Sequence, residues 1–274
     1  MHRAAQQAQR KPGDARDCKN RGMKALPLAL LLCACTVARA DDDAISPDRP
    51  DFTNGPDVMA AGRFQLETSG AWQRDRSDGV TTRLRSTPTL LRLGVGHALE
   101  LRLETEGALR QRHPDASGRG DIALGAKWQV QEGDEARPGM GWLLEVQTPT
   151  GSGAFKGHGL RPALDFLVQW QLPAGWSLGT MAGVFVDRNA GDQRYTAALA
   201  SASLGIPVND RLHAFAEVAG QQLASRRNGG NVVTLGTGLA WQVTDDAQLD
   251  TAVFRGLNHN TPDWAWTAGL SLRF

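Results

Sequence analysis

The chain has 274 residues, with 30 Lys and Arg against 29 Asp and Glu, a formal net charge of +1. The first 40 residues hold eight of the basic residues and two of the acidic ones, so residues 41–274 carry 22 against 27, a net of −5. That balance excludes a general nucleic-acid binder, which needs a basic footprint. All three cysteines (Cys18, Cys33, Cys35) also lie in the first 40 residues, which excludes disulfides, thiol metal sites and a thiol nucleophile from the rest.

Residues 23–40, MKALPLALLLCACTVARA, read as a secretory signal peptide. Lys24 supplies the charge, Ala25 to Val37 an apolar run too short to span a membrane as a helix, and Ala38-Arg39-Ala40 a small-x-small cleavage site. Residues 1–22 read as an upstream extension, Met23 being the better start. Leu32 to Cys35 loosely resembles a lipobox, but the small-x-small site fits better. Residues 41–61 show no periodicity, and Pro47 and Pro50 hold them extended. Their acidic start, DDDAISPDRPD, lacks the Gly and terminal Glu of an EF-hand loop, so it reads as a periplasmic segment without a metal.

From residue 62 onward the signal is period two. Phe64, Leu66, Thr68, Gly70 and Trp72 alternate with Arg63, Gln65 and Glu67. A weaker strand falls near 83–95. LELRLETEG then sets Leu99, Leu101, Leu103 and Thr105 against Glu100, Arg102, Glu104 and Glu106. ALRQRHPDASGRG (108–120) reads as a long polar loop. Ile122, Leu124, Ala126, Trp128 and Val130 oppose Asp121, Gly125, Lys127 and Gln129, and Trp142, Leu144, Val146 and Thr148 oppose Leu143, Glu145 and Gln147. GSGAFKGHG (151–159) reads as a flexible surface loop; it fails the phosphate-loop pattern because no Gly precedes Lys156 and no Ser or Thr follows it. Leu164 to Leu172 alternates likewise. The strands near 176–186 and 195–206 are rich in Ala, Gly and Ser, which leaves their register weakly specified. Strands near 212–221, 232–242 and 249–253 follow, and Trp264 to Phe274 closes the set.

The total is about twelve strands, joined alternately by short turns and longer polar loops, as in an outer-membrane barrel. All eight Trp (Trp72, Trp128, Trp142, Trp170, Trp176, Trp241, Trp264, Trp266) and Phe274 fall on the apolar parity. The opposite parity holds too many charges for a packed core, since an unpaired buried carboxylate is costly. The apolar face is therefore expected to meet lipid, with those nine aromatics at its interfaces. The fold class predicted is all-β: a transmembrane antiparallel barrel over 62–274, in the bacterial outer membrane, with both termini periplasmic. The lumen is expected to be lined by Glu67, Arg92, Glu100, Arg102, Glu104, Glu106, Asp121, Lys127, Glu145, Asp165, Glu217, Asp250 and Arg273, with Arg63 on the same parity. Carboxylates outnumber cations there, which predicts a mild cation preference.

Catalytic chemistry finds little footing. His97, His113, His158 and His259 fall in turns or loops, and His213 and Glu217 stand about 13 Å apart along one strand. No G-x-S-x-G elbow and no metal-ligand spacing occurs, so neither an enzyme nor a cofactor is expected.

PDRPDFTNG (47–55) with GRFQLETSGAWQRD (62–75) resembles the start of a bacterial outer-membrane family named for the putative meta-pathway of phenol degradation. TPTLLRLGV, GDIALGAKWQ, LLEVQTPTGSG and FAEVAG extend the likeness over the chain after residue 40. The resemblance implies a barrel pore. A related export pore for functional amyloid has twelve strands and an N-terminal plug, but this chain lacks the long helical region expected before such a barrel. The function expected is passive passage of small solutes, aromatic or hydrophobic ones among them. The alternatives are a structural or plugged barrel and an export pore for a polypeptide; a hydrolase comes last. Expected partners are outer-membrane lipid, the solute, and the assembly machinery through the C-terminal strand; a homo-oligomer is compatible with the sequence.

Overall fold

The computed structural model describes residues 44–274 apart from 78 and 190. The signal peptide, the upstream extension and residues 41–43 lie outside the described residues. Twelve strands run antiparallel around a closed cylinder. They are β1 Phe64–Ser77, β2 Val80–Ser86 with Thr89–Val95, β3 Leu99–Thr105 with Ala108–Arg112, β4 Ala116–Arg119 with Ile122–Gln131, β5 Gly139–Thr148 and β6 Arg161–Gln171. There follow β7 Ser177–Arg188, β8 Arg194–Asn209, β9 Leu212–Leu223, β10 Val232–Thr244, β11 Ala247–Gly256 and β12 Trp264–Arg273. Strand β12 closes on β1 from Gln65↔Arg273 to Arg74↔Trp264. The closed barrel leaves no edge around its waist, as hydrocarbon requires; Ala116–Arg119, beyond the barrel proper, pairs with a strand on one side only.

Alternation holds as the period-two reading expects. Phe64, Leu91, Leu93, Leu99, Leu101, Leu103, Leu124 and Leu144 are exposed on the outside. All eight Trp are exposed too, between 36% and 55%, as is Phe274. Trp128, Trp142, Trp170, Trp176, Trp241 and Phe274 gather near the rim where the chain enters and leaves the barrel, here the near rim; Trp72, Trp264 and Trp266 stand toward the far rim. Two belts of indole bracketing a band of aliphatic side chains are what a bilayer selects. Phe274 closes the seam: its ring stacks on Phe64 with centroids 4.6 Å apart, and the two residues exchange both backbone hydrogen bonds.

Three features depart from expectation. Residues 108–120 are not an irregular loop. They form a hairpin, Ala108–Arg112 against Ala116–Arg119, that lengthens β3 and β4 past the barrel proper. Inward Leu109 and Gln111 alternate there with outward Arg110 and Arg112, a strand pattern obscured by its arginines. The first connection is likewise not a long loop, since β1 runs to Ser77 and pairs there with Val80 of β2. And the Ala-rich strands β7 and β8 pair without a register shift from Ser177↔Gly205 to Arg188↔Arg194. Their inward face is itself apolar: Met181, Phe185, Tyr195, Ala197 and Leu199 pack with Leu143, Ala163 and Leu167 of β5 and β6. Burial on both faces pins a register that the outer face alone would leave loose.

Candidate functional site

The lumen is not empty. Residues 44–62 enter from the near rim, where the Ile45 N–H donates to the Asp245 carbonyl at 2.8 Å. They cross to β8 and β9, turn back over β3 and β4, and leave beside β2 to start β1. The DRPDFT stretch is the anchor, and its members fix themselves to different walls. Asp48 meets three cations: Lys127 Nζ lies 3.0 and 2.9 Å from its two carboxylate oxygens, Arg102 donates a very short bond, and Arg92 Nη1 stands 3.8 Å away. Burial alone would raise the Asp48 carboxyl, but Arg92, Lys127 and Arg102 together hold it well below the usual carboxylate range. Arg49 grips Asp250 of β11 through Nε (3.3 Å) and Nη2 (3.0 Å). Glu217 of β9 accepts from the Phe52 N–H (3.0 Å), the Thr53 N–H (2.8 Å) and the Thr53 hydroxyl (2.7 Å), and that hydroxyl also lies 2.8 Å from Ser201 of β8. Asp51 is half-buried beside Glu217; desolvation first, then that neighbouring charge, pushes its carboxyl up to about 8 against a hydrogen bond from Ser203.

The return path is as closely held. The Asp57 carbonyl accepts from Lys127 (3.3 Å) and Arg92 (3.4 Å), and the Met59 N–H donates to Glu100 at 3.0 Å. The backbone then presses on Gly94 of β2, where a Cβ would sit 2.1 Å from the Ala60 carbonyl oxygen. Only glycine lets the segment pass there.

These contacts sort the residues expected to line the lumen. Arg92 bridges Glu67 (3.0 Å) and Glu100 (2.9 Å), and with Arg102, Lys127 and Asp48 they form one ionic network, all at most 8% exposed by side chain. Glu217 and Asp250 are committed to the segment. Asp121 does not line the waist. It anchors the β5–β6 loop, accepting from the Gly151 and Gly157 N–H groups at 2.8 Å each and pairing with Arg161. That loop carries Phe155, fully buried among Leu84 and Leu109 inside the far mouth. GSGAFKGHG is thus a tethered cap on the barrel rather than a free surface loop. Arg273 pairs with Asp246 (2.8 Å) at the near rim, and Arg63 is half-buried at the start of β1. Arg161 and Asp187 (3.6 Å apart) and the segment's own Asp48, Arg49 and Asp51 escaped the sequence reading.

Beyond the segment, toward the far rim, a cavity of about 210 Å³ remains. Glu104, Glu106, Glu145 and Asp165 line it, with Arg102 alone among strand cations. Leu90 sits beside Glu104 on the next strand, and Phe52, Met181, Leu199 and Phe254 supply the apolar part of the lining. Gly125 makes room on β4, since a Cβ there would lie 3.1 Å from Glu145 Cγ. Among the described residues no group of three or more His, Cys, Asp or Glu is arranged to hold a metal.

A closed antiparallel barrel with a lipid-facing belt, a polar lumen and an internal plugging segment defines a transmembrane β-barrel of the porin-like kind. The chain belongs to the family described as "Putative MetA-pathway of phenol degradation", which matches residues 47–274. Among solved structures it is similar to the COG4313 outer membrane channel from Pseudomonas putida F1, at 15% identity and a TM-score of 0.61, covering 84% of this chain and 100% of that one. It is also similar to the KdgM porin in complex with disordered oligogalacturonate (7%, TM-score 0.55, 77% and 99%) and to the NanC porin (10%, TM-score 0.54, 76% and 98%). These identities speak for the fold. No curated protein matches the chain in sequence.

Proposed function

We propose that the protein is a passive outer-membrane channel for small solutes, with the near rim periplasmic, the far rim extracellular, and residues 44–62 as its gate. One observation carries the reading: the segment that fills the lumen is tied to the walls mainly by hydrogen bonds and ion pairs, with Ile45, Phe52 and Met59 adding a few apolar contacts. Polar contacts of that kind exchange for water when the segment withdraws, at small net cost. The charges left behind then line a wet pore. The cavity gives the solute class. Acidic and apolar side chains share its lining, which suits small neutral or cationic molecules with one apolar face, aromatic ones included.

A barrel permanently shut is the second reading, and the number of partners around Asp48 favours it. Planar-bilayer recording separates the two. Protein lacking residues 44–57 should conduct more than the intact chain and prefer cations; an unchanged, silent barrel would favour the shut form. Neither reading gives any residue a catalytic role. That Phe274 also serves recognition by the assembly machinery is part of the proposal, supported by its place at the seam.

A further inference from the structure

On the outer face of the far rim the apolar band gives way to arginine. Trp264 pairs with Arg74, Arg74 with Arg83, and Arg83 with Arg112, so three guanidinium groups follow a Trp along one row across β1, β2 and β3. In the next row toward the near rim, Trp266 pairs with Trp72, Trp72 with Arg85, and Arg85 with Arg110. All five arginines are exposed on the parity that carries the lipid-facing residues below them. Arg119 joins them at the edge of β4.

Like charges directly opposite each other weaken a sheet, so a run of Arg–Arg cross-strand pairs needs compensation. The described residues do not supply it. Among the described residues none of these six arginines has a carboxylate within 4 Å; the nearest comparable pair, Arg255 with Asp263 at 3.9 Å, belongs to β11. Asp75 lies on the inward parity, and Asp115 at the tip of the β3–β4 hairpin. Strand spacing of about 4.8 Å puts Arg74, Arg83 and Arg112 within about 10 Å of one another. They stand within two residues of the Trp72 and Trp266 level, where headgroups meet water.

We infer that this face is a binding site for a phosphorylated lipid of the outer leaflet, with the arginines on the phosphates of a lipid A headgroup and the Trp side against its acyl chains. Guanidinium groups suit phosphate because their planar donors bind it bidentately. The site rests on the far rim being extracellular, as proposed above, and on the lipid-facing orientation of this parity, not on what the lumen carries.

The test uses the full-length barrel, extracted from outer membranes in mild detergent and examined by native mass spectrometry. Wild type should retain lipid A-containing lipid. Arg74→Gln, Arg83→Gln, Arg110→Gln and Arg112→Gln combined should lower retention at least about tenfold, because each basic residue near an anionic surface contributes. Neutralising Arg194, Arg226 and Arg227 on other far-rim segments should leave it unchanged. Titration of wild type with purified lipid A in mixed micelles decides the matter even if the combined variant fails to fold. Binding should require the phosphates and survive inorganic phosphate. Equal binding of dephosphorylated lipid A, or displacement by inorganic phosphate, would overturn the assignment, as would full retention by the folded variant.

Discussion

Asp48→Asn is the sharpest perturbation of the gate. The change keeps the size of the side chain and removes the one anion shared by Lys127, Arg102 and Arg92. Each contact at about 4 Å has a Coulomb energy of roughly 4 kcal/mol at an effective dielectric of 20. Desolvation offsets most of that, and removing one partner of a buried network costs about 3–5 kcal/mol net. Arg92 and Arg102 keep Glu100, and Arg92 keeps Glu67, so the lower end of the range applies. A loss of about 3 kcal/mol is roughly a 150-fold shift from seated toward withdrawn segment. Single-channel recording at neutral pH should show large openings far more often in Asp48→Asn than in wild type. Asp48→Asn combined with Lys127→Met should fall short of the summed single effects, because the two share one interaction. Identical opening statistics in wild type and Asp48→Asn would refute the idea that this network holds the gate.

Other perturbations give separate readouts. Asp51 has a seated pKa of about 8 against about 3.8 when withdrawn, so seating takes up a proton between those values and weakens as pH rises through them. Openings should therefore become more frequent from pH 5 to pH 8 in wild type, and Asp51→Asn should flatten that rise. Phe155→Ala removes a fully buried ring from the far-mouth cluster at a cost of about 3–5 kcal/mol, and trypsin should then cut faster after Lys156 in the loop it tethers. Glu104→Gln with Glu145→Gln should lower the cation preference measured by reversal potential at low salt, and screening should erase the difference at high salt. Gly94→Ala should loosen the segment's exit and raise opening frequency, as the added methyl would collide with the Ala60 carbonyl.

The barrel was legible because a lipid-facing strand must alternate; Trp72, Trp128 and Trp266 declare the outside, and Glu67, Glu100 and Lys127 the inside. Residue parity could not tell which inward charges face solute and which face the plug. Asp121 and Glu104 share the polar parity, yet one ties down a loop and the other lines the cavity. That difference is set by long-range contacts with no local signature. The plugging segment was harder still. DRPDFT lacks periodicity because it is extended and its partners lie on seven different strands. Its sequence clue is charge: alternating Asp and Arg between prolines, before a barrel whose interior pattern carries both signs. The apolar lumen wall on β7 and β8 hid behind Ala and Gly, small residues that give either face the same weak hydropathy.

The central claim is that solutes cross through the lumen when residues 44–62 leave it. A reversible tether tests it most directly. Thr53 and Ser201 touch through their hydroxyls at 2.8 Å, and residues 41–274 contain no cysteine, so Thr53→Cys with Ser201→Cys allows one defined crosslink. Single-channel recording of this variant, oxidised and then reduced in the same bilayer, should show large cation-preferring openings abolished by the disulfide and restored by its reduction. Large openings that persist with the segment covalently held in place would contradict the account.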